Sequence, residues 1–253
     1  KNDENLFSAL DDSENNGIAT KIGWEQLLLQ KNWELKSAVK FDFIHENFKS
    51  IERIQQLEFN RDWNIETNIG SQKLLNTSLT LSKETTKKIV YEFENLEFGD
   101  SFKGNKHRFY GKLNDKKVSI LFNSSLLNNE SVSETGQFSR SFISTKYNLK
   151  KSWVGLLFNA ENNKRKNIHT SIISPLSHKF NEYEIFLGVG DSTKVYSQIG
   201  VNFRNTDSIQ NNTFERVNNS KTYYMKSKLL NSKRANLNTY INYRKVDNLN
   251  FKN

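Results

Sequence analysis

The stretch KVYSQIGVNFR, Lys194 to Arg204, decides the fold. Side chains on an extended chain alternate between two faces with a period of two. Val195, Ser197, Ile199, Val201 and Phe203 therefore share one face, and Lys194, Tyr196, Gln198, Gly200, Asn202 and Arg204 share the other. One face suits lipid and the other suits water. A helix would need apolar residues three and four apart, and this stretch does not supply them.

The same reading extends in both directions. Just upstream, Tyr183, Ile185, Leu187 and Val189 alternate with Glu182, Glu184, Phe186, Gly188 and Gly190. Near the start, Trp33, Leu35, Val39, Phe41 and Phe43 alternate with Glu34, Lys36, Ala38, Lys40 and Asp42. Segments of about ten residues with this alternation, separated by polar turns, are the sequence signature of a transmembrane β-barrel. The expected fold is all-β: an antiparallel up-and-down meander forming an outer-membrane β-barrel or part of one, with residues 1–253 as a single barrel domain. The water-facing positions Lys36, Lys40, Glu182, Glu184, Gln198 and Arg204 are then candidates for the lumen wall. An arginine at Ile199 or Leu187 should be costly, and one at Gln198 nearly silent.

The connections add a direction. Tight polar turns are predicted at Gln30 to Asn32, Lys83 to Lys87, Asn114 to Lys117, Lys150 to Ser152, Asp191 to Lys194 and Ser232 to Asn236. Longer polar loops are predicted at Gly99 to Lys106, Asn128 to Gln137, Asn162 to His178 and Asn205 to Lys221. Short and long connections alternate, as they do when one membrane side carries compact turns and the other exposed loops. The pattern breaks between His45 and Gln72, where only one clear strand fits, around Leu57 to Ile65. The chain opens with a polar lead-in over residues 1–17. Its end, Val246 to Asn253, reads as the start of a further alternation, so a piece of a larger barrel with thirteen or so strands is expected.

Composition agrees. Mean hydropathy is clearly negative, and no run approaches the roughly 20 apolar residues of a spanning helix. A barrel tolerates this because only alternate residues meet lipid. The single proline, Pro175, falls in a predicted loop, where it cannot interrupt a ladder. The absence of cysteine removes disulfides, thiolate metal sites and cysteine nucleophiles. The net charge of +9 invites a nucleic-acid reading, but the cations are scattered rather than gathered on one face. The densest cluster, Lys164 to Lys166, falls in a predicted loop. Nucleic acid is therefore not expected as a partner; outer-membrane lipid and lipopolysaccharide, together with other outer-membrane or periplasmic proteins, are.

Chemical motifs are weak. Asp12, Glu14, Asn16 and Gly17 imitate the start of a calcium loop, but Gly23 stands where the bidentate glutamate belongs. His45, His107, His169 and His178 lie far apart, at strand ends or in loops, without the spacing of a metal site. Serine-nucleophile, P-loop and dinucleotide-binding patterns are missing. Gly188-Val189-Gly190 belongs to a strand, where glycine relieves crowding as another side chain approaches. Glu182 and Glu184 share a face and are expected to be balanced by nearby cations rather than to work as acid and base. No catalytic residue, cofactor or metal is expected. Trp24, Trp33, Trp63 and Trp153, with Tyr147, Tyr183, Tyr223 and Tyr243, fall near predicted strand ends, where lipid headgroups favour amphipathic rings.

The texture of segments such as Asn5 to Asp12, Glu58 to Asn64, Tyr91 to Leu96 and Gly190 to Val195 resembles large uncharacterised outer-membrane proteins of Bacteroidota, of Flavobacterium type. That resemblance implies a bacterial outer-membrane address and a further N-terminal region, and carries over no catalytic residue. Two function classes follow: a non-enzymatic outer-membrane barrel acting as channel, translocation or assembly component, or scaffold; and a soluble periplasmic or surface β-sheet protein binding lipid or glycan.

Overall fold

The structure is a computed structural model that describes residues 18–45, 71–191, 194–231 and 235–249. These hold twelve strands: β1 (Ala19–Gln30), β2 (Glu34–Ile44), β3 (Gln72–Lys83), β4 (Lys87–Phe98), β5 (Phe102–Asn114), β6 (Val118–Ser131), β7 (Glu134–Asn148), β8 (Ser152–Asn167), β9 (His178–Gly190), β10 (Tyr196–Gln210), β11 (Thr213–Asn231) and β12 (Asn236–Asn248). All pair antiparallel in one sheet whose spatial order is the chain order. This is the all-β up-and-down meander that the alternation predicts. β1 and β12 are its two edges, each paired with one described strand alone, β1 with β2 and β12 with β11. The strand expected around Leu57 to Ile65, and the lead-in over 1–17, lie outside the described residues.

The compact turns fall where the polar clusters place them, for example between β3 and β4 and between β5 and β6. At the opposite end the sheet differs from expectation. The segments expected as long loops are mostly strand. β6 runs on to Ser131 and β7 starts at Glu134, β8 extends through Lys164 to Asn167, and β10 and β11 meet across Asn211 and Asn212. Those two asparagines have φ of 48° and 61°. Such values suit a two-residue hairpin turn of the primed type, which asparagine tolerates. Among connections whose residues are all described, 168–177, with Pro175, is the longer one there, and the still longer link from β2 to β3 lies mostly outside the described residues. Similarly, Val246 to Asn248 continue β12 rather than open a new strand.

The physical reason is plain in the residues. Beyond the apolar stretch, both faces of β10 and β11 are polar: Asn205, Thr206, Asp207 and Ser208 face Arg216, Asn218, Asn219 and Ser220 or their neighbours. Alternation of polarity vanishes there, while the backbone ladder continues. The longest strand, β11, has 19 residues, about twice what tilted passage through a bilayer requires.

Candidate functional site

Following the registers strand by strand puts all six candidate wall residues on one face. Lys36 pairs with Thr80, Thr80 with Val90, Val90 with Tyr110, and so on through Asn123, Phe142 and Asn159 to Glu182, Arg204 and Ser220. One cross-strand row thus contains Lys36, Glu182 and Arg204. Lys40, Glu184 and Gln198 lie on neighbouring rows of the same face. The sheet curls toward it, because side chains two strands apart meet there. Trp153 Nε1 on β8 donates to Gln198 Oε1 on β10 at 3.4 Å, and Tyr224 on β11 donates to Glu184 on β9. We call it the inner face.

Carboxylates on the inner face are held by neighbours. Glu182 accepts from Asn202 at 2.7 Å and from Asn159 at 3.4 Å, with Arg204 at 3.9 Å. Lys106 reaches Glu94 at 3.2 Å, and Asn76 donates to the same carboxylate at 3.2 Å. Glu92 takes the Tyr110 hydroxyl at 3.1 Å and faces Arg108 at 3.7 Å. Glu161 meets His178 at 2.8 Å and Arg140 at 3.9 Å. The expected balancing of Glu182 by a cation is present, whereas Glu184 is held by a phenol, itself bonded by Gln198 at 3.0 Å. Among the described residues no three His, Cys, Asp or Glu side chains converge as a metal site would require. A polar hollow of about 560 Å³ opens on this face between β9 and β12, walled by Glu182, Glu184, Arg204, Tyr224, Lys226 and Arg244, among others.

The outer face is apolar and exposed. One row reads Leu35, Leu81, Ile89, Gly111, Phe122, Ile143, Phe158, Tyr183 and Phe203 from β2 to β10. Ile199 is 55% exposed and Leu187 54%, while the buried apolar side chains among the described residues, Val90, Leu96, Phe98, Phe102, Trp153 and Phe180, point inward. This reverses the order of a water-soluble sheet, which hides its apolar face.

Two features of this belt were not visible in single strands. The first is a polarity switch. On β4 the outward Ile89, Tyr91 and Phe93 give way to Asn95 and Glu97, and the inward Glu92 and Glu94 give way to Leu96 and Phe98. Leu96, Phe98 and Phe102 pack with Leu74 and Leu127 into a small inner core. β3 and β5 switch at the same level, where Lys73 and Lys103 appear outside. The second is a slope. The outward apolar run on β3, Leu75 to Leu81, lies wholly to one side of the row that links Leu81 to Tyr183, and that on β9, Tyr183 to Val189, wholly to the other. The belt slips by about one residue per strand, roughly 3.4 Å of rise against about 4.8 Å of spacing, so strands cross the belt's normal at roughly 35°. Closed barrels tilt their strands by about that angle.

Some assignments need correction. Trp153 is not at a headgroup level: it is 5% exposed on the inner face. His107 is neither in a loop nor at a strand end; it lies within β5, its Nδ1 2.8 Å from the Tyr91 hydroxyl and its ring 4.9 Å from that of Phe93. Lys164 to Lys166 belong to β8. Tyr147, Tyr183, Tyr223, Tyr243 and Trp24 do face outward and are exposed; Trp63 lies outside the described residues. Gly188 meets its expected role, since a Cβ there would fall 2.1 Å from the Trp153 ring.

Comparison with protein families, curated proteins and solved structures finds no match to this chain.

Proposed function

We propose that this chain is a non-enzymatic β-barrel wall of a bacterial outer membrane, serving as channel, translocation or assembly component, or scaffold. The observation that carries the reading is the sloping apolar belt, polar within and apolar without, which inverts at one level along β3, β4 and β5. Contiguous exposed apolar surface on this scale marks a membrane or a large partner. A slope of roughly 35° favours the membrane, because a lipid slab cuts tilted strands obliquely.

Lysines border the belt. Lys83 and Lys87 stand at the compact-turn end of the outer face, and Lys73, Lys103 and Lys179 just beyond its other margin. These positions suit the phosphates of anionic outer-leaflet lipid such as lipopolysaccharide, and the long-stemmed ammonium groups can reach them. The inner face, with its paired charges, suits water and polar solutes.

The test is extraction and reconstitution. The purified chain should require detergent to stay monodisperse, migrate differently on a denaturing gel before and after boiling, and insert into lipid vesicles. A monodisperse chain in buffer without detergent would overturn the reading in favour of a soluble β-sheet protein.

A further inference from the structure

Four glycines inside strands share one arrangement. A Cβ at Gly155 would fall 2.1 Å from the Phe186 ring, at Gly188 2.1 Å from that of Trp153, at Gly200 2.5 Å from that of Tyr224, and at Gly111 2.8 Å from that of Phe122. Each ring belongs to the directly paired residue of the adjacent strand. Three of the four lie on the inner face, in the β8 to β11 region. Gly23 also lies on the inner face, midway along edge strand β1, and a Cβ there would meet nothing within 4 Å. At the other edge, on the inner face of β12, stands Tyr240, 62% exposed.

Resting on the barrel reading above, we propose that β1 and β12 pair with each other, with Tyr240 laid over Gly23, closing the twelve described strands into a barrel. Three observations converge. In an antiparallel meander of twelve strands the first and last run in opposite directions, so their edges form an antiparallel ladder without a crossover. Setting Gly23 opposite Tyr240 places Ile22 opposite Ile241 and Thr20 opposite Tyr243 on the outer face. The sloping belt then crosses the seam without a step. Finally, β1 joined to β1 of a second copy would leave Gly23 without a ring, and a head-to-tail contact between copies would leave edges to grow filaments unless it closed as a ring. Closure removes both edges.

The chain has no cysteine, so engineered thiols report cleanly. Neighbouring strands bring Cα atoms within the 4.4–6.8 Å range of disulfides. The double variant Ile22→Cys with Ile241→Cys, oxidised in detergent micelles as full chain, should give an intramolecular disulfide. It should appear as a faster-migrating monomer, reversed by reductant, at a yield within about twofold of the established neighbours Leu187→Cys with Ile199→Cys. Thr20→Cys with Tyr243→Cys provides a second reading should the first pair fail to fold, judged by heat-modifiable migration. Disulfide-linked dimers would assign the edges to a second copy. No bond in folded protein, with the control pair bonded, would mean other strands separate the edges. Either result overturns closure. Detergent dependence of the same preparations reports on the membrane assignment separately.

Discussion

Trp153 lies flat across the backbone of Gly188 on the next strand, so close that no other residue could stand beneath it unless the indole moved. The ring is buried and its Nε1 is bonded to Gln198. Gly188→Ala should force the indole aside and lower stability by about 1–3 kcal/mol, the usual cost of overpacking. Urea unfolding followed by tryptophan fluorescence and by gel migration checks this; an unchanged midpoint would contradict the packing.

Arginine scanning should separate the two faces. Ile199→Arg and Leu187→Arg, at the level of the belt, should cost roughly 2–4 kcal/mol in bilayer-refolding equilibria if these side chains meet the hydrocarbon midplane. Lys36→Gln, on the inner face with its ammonium only 3.6 Å from a half-exposed Glu34, should change stability by no more than about 0.5 kcal/mol.

Gln198 behaves differently from what its polar character in the sequence implies. It is 6% exposed, accepts from Trp153 and donates to the Tyr224 hydroxyl. Gln198→Arg strips Trp153 of its acceptor and crowds the Tyr224 hydroxyl, and should cost about 1–3 kcal/mol. Gln198→Leu, which removes both the indole's acceptor and the donor to the Tyr224 hydroxyl, should likewise cost about 1–3 kcal/mol. An unchanged urea midpoint would show that the two bonds contribute nothing.

The Glu182 cluster invites a double-mutant cycle. Coupling between Glu182 and Arg204 should stay below about 1 kcal/mol, because the guanidinium is partly exposed and 3.9 Å away. Coupling between Glu182 and Asn202 should be larger, about 1–2 kcal/mol, since their 2.7 Å charge-assisted bond is better sheltered. The reverse order would contradict the geometry.

At the tip of the β10–β11 hairpin, Asn212 accepts from the Ile173 backbone N–H at 2.6 Å and so ties the 168–177 connection to the hairpin. Asn212→Gly keeps the left-handed turn but deletes the tether. Limited proteolysis near Pro175 should quicken severalfold while the heat-modifiable migration is unchanged. Unaltered cleavage would show that other contacts hold the connection.

Strand identity, faces and compact turns were legible because Ile199, Leu187 and their neighbours alternate without interruption where one side is apolar and the other polar. The far ends of β6, β8, β10 and β11 were not legible. There Asn128, Lys164, Asn205 and Asn219 make both faces polar or reverse them, and polarity then reports solvent rather than backbone conformation. Trp153 was misplaced for a related reason: strand-end position cannot tell an outward ring from an inward one, and only the register that sets it over Gly188 does. The slope of the belt is a property of many strands in register, so no single segment carries it.

The polar extensions of β8, β10 and β11 have a consequence for recognition. Loops that order on contact lose conformational entropy at that moment, and the loss weakens binding. Here the described backbone of β8, β10 and β11 at that end is already laddered into the sheet, turned through two asparagines and tied at Asn212. Contact with these strands would therefore carry little of that ordering cost, because their hydrogen bonds are made beforehand.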